Sequence, residues 1–398
     1  MDVYFWPPLQ LLVYARIARE IMYTFDSGKL VNGDYTREVY EKVSRIRLPA
    51  CRHIAYERTN STEHQILLPL PTNNQNKLVH IALNIGVEIE KWFTNHGGYF
   101  ERETNINVRN ILSWRSTGII DRLETARVMI QNERLNITER FRFACEYFFE
   151  EDAKNLWRIM SPYMREQFCM EFHNKGRLFW LNVLDNQHVT LDWELISLNI
   201  TGDQFFVLNS MGIPYFFKRL HGREIRYECI ISCLDLVHDV FHPFDLYFCL
   251  HRLNAEEVNY IFTRLPKNLM YIVFESFLEW PLQFMFLDVT NSFRIHINGD
   301  IFLSLVCVLF HKLVYVYEDC EYADLFKSFW EAFSSQYGSF VEQHRILNKI
   351  VNYVLNAPLP FNVEDCGNFI SYEIIKLYGR RRELIEIFTP WRVPTHLI

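Results

Sequence analysis

The segment Cys229-Ile-Ile-Ser-Cys233-Leu-Asp235-Leu-Val-His238-Asp239-Val-Phe-His242 concentrates the side chains best suited to chemistry. It holds a C-x3-C pair and an H-x3-H pair, spacings at which two ligands can reach one metal ion from successive helical turns. The His238-Asp239 doublet adds a carboxylate that could orient an imidazole or join it on a metal. Geometry limits what the set can do. At about 100° per residue, Cys229 and Cys233 share an arc with Leu236, Val237 and Val240. His238 and His242 fall on the opposite arc with Asp235 and Asp239. One helix cannot turn all four ligands toward one ion, and a Cys2His2 zinc site needs a longer gap between its pairs.

The narrower set of His238, Asp239 and His242 could hold a metal with help from another segment, His221 or Asp288. It would then resemble metal-dependent phosphohydrolases of the HD type, and the chain would be a hydrolase. The plainer reading is an amphipathic helix with buried cysteines and a polar stripe. Elsewhere there is no phosphate-cradling glycine loop, no G-x-S-x-G and no H-E-x-x-H. Arg380-Arg381-Arg382 reads as a solvated helix end. The expectation is a protein without catalytic residues or cofactor.

The elements that would carry these residues are helical. The chain has 398 residues, 49% of them apolar and 22% charged, with a net charge of −7. That composition can bury a core and shows no basic excess for nucleic acid. Phe occurs 33 times and Gly only 14 times, so bulky rings must fill helix crossings where repeat proteins often use small residues. The nine cysteines sit mostly in apolar runs, the pattern of buried reduced thiols. The N-terminus lacks a signal-peptide pattern, and the most apolar window, Ile301–Phe310, is too short to span a bilayer. The expected location is cytoplasmic or nuclear, with no membrane partner.

Residues 1–58 form a candidate helical module, 59–77 a polar linker with an Asn-rich stretch at 73–76, and 78–398 a helical array that divides near 200–222. Helices are expected over Leu9–Phe25, Tyr35–Ile46, Leu78–Phe93, Ile119–Glu133, Leu325–Phe333 and Phe340–Leu355. Asn136 with Glu139, and Asn254 with Glu257, have capping-box spacing. Residues 189–200 fit both a strand and a helix, and the helical surroundings favour the helix. Cys145 through Trp157 aligns with Cys249 through Phe262 if one residue is inserted. Recurring helix pairs build solenoids, and solenoids mostly bind other proteins.

Within the first module, Pro8-Leu9-Gln-Leu-Leu12-Val13-Tyr-Ala-Arg16-Ile17 and Ile46-Arg-Leu48-Pro49-Ala-Cys51 resemble the two parts of a SOCS box, the Elongin-binding element of ubiquitin-ligase adaptors. Val13 stands where that family has Cys, and Cys51 where it has its second Pro. The resemblance implies that Leu9, Val13 and Ile17 contact Elongin C of an Elongin B/C pair. Leu48 and Pro49 would face a cullin, and the array would select a substrate. The stretch Ile120 to Trp157 is also similar to uncharacterised arthropod, chiefly spider, helical-repeat proteins. The expected fold is mainly α, an α-solenoid-like array of helix pairs with a small N-terminal helical module.

Overall fold

Asn136 and Asn254 each start a helix in the same way. The Asn136 side chain accepts from the Glu139 N–H at 2.7 Å, while Glu139 accepts from the Asn136 N–H at 3.0 Å. Asn254 and Glu257 exchange the same two bonds at 2.9 and 3.1 Å. Each box satisfies two amides that a bare helix start would leave unpaired. Leu253 before the second box and Val258 within it are both buried, as a hydrophobic staple requires.

The computed structural model describes residues 4–49, 67–100, 107–171, 188–199, 204–236, 242–314 and 317–356, with single positions between 180 and 186. The protein is mainly α. The first helices are α1 (Leu9–Met22), α2 (Ser27–Asn32), α3 (Thr36–Ser44), α4 (Thr72–His96) and α5 (Val108–Ile111). Then come α6 (Arg122–Gln131), α7 (Ile137–Glu146), α8 (Glu150–Ile159), α9 (Pro162–Glu171), α10 (Trp193–Asn199), α11 (Gln204–Leu208) and α12 (Ile213–Phe216). The second half continues with α13 (Arg223–Leu236), α14 (Pro243–His251), α15 (Ala255–Arg264) and α16 (Lys267–Ser276). The last described helices are α17 (Phe286–Ser292), α18 (Gly299–Val314), α19 (Tyr322–Glu342) and α20 (Arg345–Asn356). One antiparallel pair, β1 (Arg47–Pro49) with β2 (Leu67–Pro69), is found among the described residues, with Leu48 opposite Leu68.

The two aligned segments fall on α7 and α8, which pack closely on each other, and on α14 and α15, which make little mutual contact. Cys145 and Cys249 are buried near the ends of the first helices, and Leu156-Trp157 and Ile261-Phe262 are buried in the second. The ambiguous stretch at 189–200 forms α10, a helix. Ile301–Phe310 lies inside α18 and is buried on every side. Two boundaries differ most from expectation. Helix α4 starts at Thr72, so Asn73–Asn76 are helical. Helix α19 runs on through Phe340, and the break falls after Glu342. Among the described residues no helix is long and apolar enough to cross a membrane.

Helix α4 is the spine that positions the N-terminal helices. Its 25 residues extend for roughly 38 Å at 1.5 Å per residue. Helices α1, α2 and α3 pack along it. Ala15 and Ala18 are buried on α1, and small side chains there bring the two axes close. Gly118 has a φ of +83°, and a Cβ on it would meet Ile85 of α4 at 2.9 Å and Ala15 of α1 at 3.3 Å. Glycine alone fits both that backbone and that space.

Aromatic rings fill the deeper crossings. The Trp92 ring stacks on His96, with centroids 4.4 Å apart, and Phe143 stacks parallel to both. Phe148 packs edge-on against Phe216, which stacks on Trp193. Phe302 of α18 stacks on Phe329 of α19.

Candidate functional site

Helix α1 has two apolar faces. Leu11, Tyr14, Ala15, Ala18, Ile21 and Met22 are buried, and they supply the face toward α4. Leu9, Val13 and Ile17 lie on the outside, 76%, 49% and 38% exposed. They are spaced i, i+4, i+8, so they form one stripe along three turns. An amphipathic helix needs only one apolar face to dock on its own protein. Among the described residues the second face has no internal partner, and it is the kind of stripe that fits a partner's groove.

The stripe is held on a firm base. Tyr23, just past α1, accepts a hydrogen bond from the Trp114 indole N–H at 2.6 Å, and the Arg109 guanidinium lies over the Tyr23 ring. Arg109 also reaches Glu20 at 3.5 Å. Below α1, the first half of α4 is tied to distant parts of the chain. Asn76 donates to Glu318 at 3.3 Å, Lys77 to Glu321 at 2.9 Å, and Asn84 to Asp319 at 3.1 Å. Gln283 donates to the same Asp319 oxygen at 3.1 Å, and the buried Lys312 ammonium pairs with Glu279 at 3.0 Å.

The lower half of α4 carries a buried charge cluster that sequence reasoning missed. Arg122 of α6 lies 3.9 Å from Glu88 of α4 and 3.7 Å from Asp245 of α14. Burial pushes the Glu88 carboxyl up to about 7, with Arg122 pulling in the other direction, and burial also raises Asp245. Perturbed carboxylates can mark an active site, but a structural ion-pair network perturbs them equally. These groups are enclosed between helices. The cavity of about 460 Å³ lies elsewhere, among α6, α7 and α8, and is lined by Ile130, Leu156, Arg140 and Arg158 among others. No signal in the sequence pairs Glu88, Arg122 and Asp245, because they come from three separated helices.

His96 sits in the neighbouring aromatic stack. Its Nδ1 is 2.6 Å from the Trp92 carbonyl, which only accepts, so the proton is on Nδ1. Its Nε2 then accepts from the Tyr147 hydroxyl at 2.8 Å. Burial lowers its pKa to about 3, so it is a neutral packing residue.

The segment singled out for metal chemistry is divided. The described part of α13 runs to Leu236, and His242 is extended, at φ −78° and ψ 141°, before α14, so one helix does not carry Cys229 through His242. His238 and Asp239 lie outside the described residues. His242 caps α14: its Nδ1 accepts from the Phe244 N–H at 2.9 Å, which leaves the proton on Nε2, 3.8 Å from Glu88. Cys229 and Cys233 are buried and meet Cys249 of α14, and burial raises all three thiols. Among the described residues no group of three His, Cys, Asp or Glu side chains is placed to hold a metal ion.

Leu48 and Pro49 lie in β1, set by register opposite Leu68 and Leu67. Cys51, Cys366 and Arg380–Arg382 lie outside the described residues. A scan against protein-family models, a search of curated proteins and a search of solved structures each found no match.

Proposed function

We propose that this chain is a non-enzymatic protein-interaction protein, and specifically a substrate-recognition adaptor of a cullin-RING ubiquitin ligase. The observation that supports it is the exposed Leu9, Val13 and Ile17 stripe on a helix whose other face is already anchored. In this reading the stripe enters an apolar groove of Elongin C, the β1 segment with Leu48 and Pro49 faces a cullin, and the helical array binds the substrate. The open cavity among α6, α7 and α8, with Arg140, Arg158 and Asp152 beside Ile130 and Leu156, suits a peptide carrying both apolar and charged side chains.

The test uses the outward residues alone. Leu9→Asp with Ile17→Asp should abolish capture by immobilised Elongin B/C while the thermal transition stays within a few degrees of wild type. Undiminished capture of the folded double variant would rule the assignment out.

The competing hydrolase reading rests on His238, Asp239 and His242. It has less support, because His242 already holds the α14 start through Nδ1. Metal analysis separates the two: a stoichiometric transition metal lost in His238→Ala would favour hydrolysis. A scaffold with no ligase role shares the array and differs by making no Elongin contact.

A further inference from the structure

The chain entering α1 presents a second set of exposed groups. Residues 4–6 alternate in direction. Phe5 turns inward: its N–H donates to the Tyr247 hydroxyl at 3.0 Å, and its ring meets Phe244 edge-on with centroids 5.6 Å apart. Tyr4 and Trp6 are the outward positions, 59% and 84% exposed. The Tyr4 ring rests edge-on against His251 at 4.9 Å. Pro7 and Pro8 follow, with Pro8 extended at φ −62° and ψ 146°, and deliver the chain into Leu9. Trp6 is therefore held between two anchored neighbours with its indole in solvent.

An indole presented this way loses little further freedom when a partner covers it, and Trp, Tyr and Arg dominate the energetics of protein interfaces. Arg16 supplies the third type. It is exposed on α1 between Val13 and Ile17, and no acidic side chain pairs with it among the described residues. One unpaired cation inside an apolar stripe complements a groove with a carboxylate at its edge. A lipid surface fits less well. Membrane-surface helices carry several basic residues on their polar face, whereas α1 has Arg16 exposed and Arg19 only partly so, the latter 3.6 Å from the oppositely charged Glu20.

We infer that Tyr4, Trp6 and Arg16 join Leu9, Val13 and Ile17 in one composite docking surface, whose occupant is a protein presenting an apolar groove edged by a carboxylate. This rests on the adaptor reading above, which supplies Elongin B/C as the probe. Trp6 is the anchor that sets affinity, and Arg16 sets the salt dependence.

The experiment is calorimetric titration of the full chain with purified Elongin B/C, for wild type, Trp6→Ala, Arg16→Glu and Leu9→Asp. The thermal transition of each is recorded as a check on folding. Trp6→Ala should weaken binding by at least about tenfold, within the range for interface tryptophans. Arg16→Glu should weaken it more at low salt than at high salt. Trp6→Ala within twofold of wild type, with Leu9→Asp abolishing binding, would overturn this inference and leave the helix-groove reading standing. No binding by wild type would remove that reading and this inference together. A dimer of the chain that Trp6→Ala converts to monomer would assign the surface to a second copy and likewise overturn it.

Discussion

The Tyr35 ring lies directly on Gly86 of α4, where a Cβ would come within 2.4 Å of the ring. This contact seats the start of α3 on the spine, next to the groove that receives α1. Tyr35 is itself buried, so the ring cannot swing out to make room. Gly86→Ala should therefore destabilise the protein by about 1–3 kcal/mol through overpacking, despite the better helix propensity of Ala. Urea unfolding measures it, and an unchanged midpoint would show that the crossing is looser than described.

One buried carboxyl, Glu88, and one half-buried, Glu146, make stability depend on pH in an unusual direction. Burial pushes both Glu88 and Glu146 up to about 7 from an ordinary 4.5. The folded state then holds these protons more tightly than the unfolded chain does. Their contribution is complete below pH 4.5 and is lost as pH rises through 7. Glu146→Gln should flatten the fall in stability between roughly pH 5 and 7.5, by up to about 1.4 kcal/mol per pH unit for one group. Denaturant midpoints across that window test it, and an identical slope in the variant would contradict it.

His96 works in the opposite sense. Burial lowers it to about 3 from an ordinary 6.5, so the unfolded chain takes up the proton first. Stability from this group is present above pH 6.5 and is lost as pH falls toward 3. His96→Phe should reduce the acid sensitivity below pH 6.5. It should also cost about 1–3 kcal/mol at neutral pH, because the buried Tyr147 hydroxyl loses its acceptor. A variant as stable as wild type at pH 7.5 would show that Tyr147 finds another partner.

The start of α4 shows why part of the fold is illegible locally. Asn73–Asn76 read as a linker because Asn favours turns over helix interiors. The contacts that hold Asn76 and Lys77 at this helix start lie more than 240 positions away, in Glu318 and Glu321. The Glu88, Arg122 and Asp245 cluster is hidden for the same reason: three ordinary charged residues become a network only when three helices meet. By contrast, both capping boxes and the Leu9, Val13 and Ile17 stripe depend on spacing within one helix, and spacing is what a sequence displays. The gap expected between Leu325–Phe333 and Phe340–Leu355 is absent, since α19 continues through it.

The three-thiol contact of Cys229, Cys233 and Cys249 should be chemically silent. All three are buried and neutral, because burial raises their pKa values. Iodoacetamide labelling read by mass spectrometry should leave them unmodified in the native protein and modify them fully in urea. Rapid native labelling at Cys229 or Cys233 would revive a redox or metal role for this segment.

If the outer face of α1 docks an adaptor partner, as proposed above, co-expression of the chain with Elongin B and C followed by size-exclusion chromatography should give one-to-one co-elution. Leu9→Asp should abolish it without unfolding the chain. Separate elution of a well-folded wild-type protein would contradict the proposal.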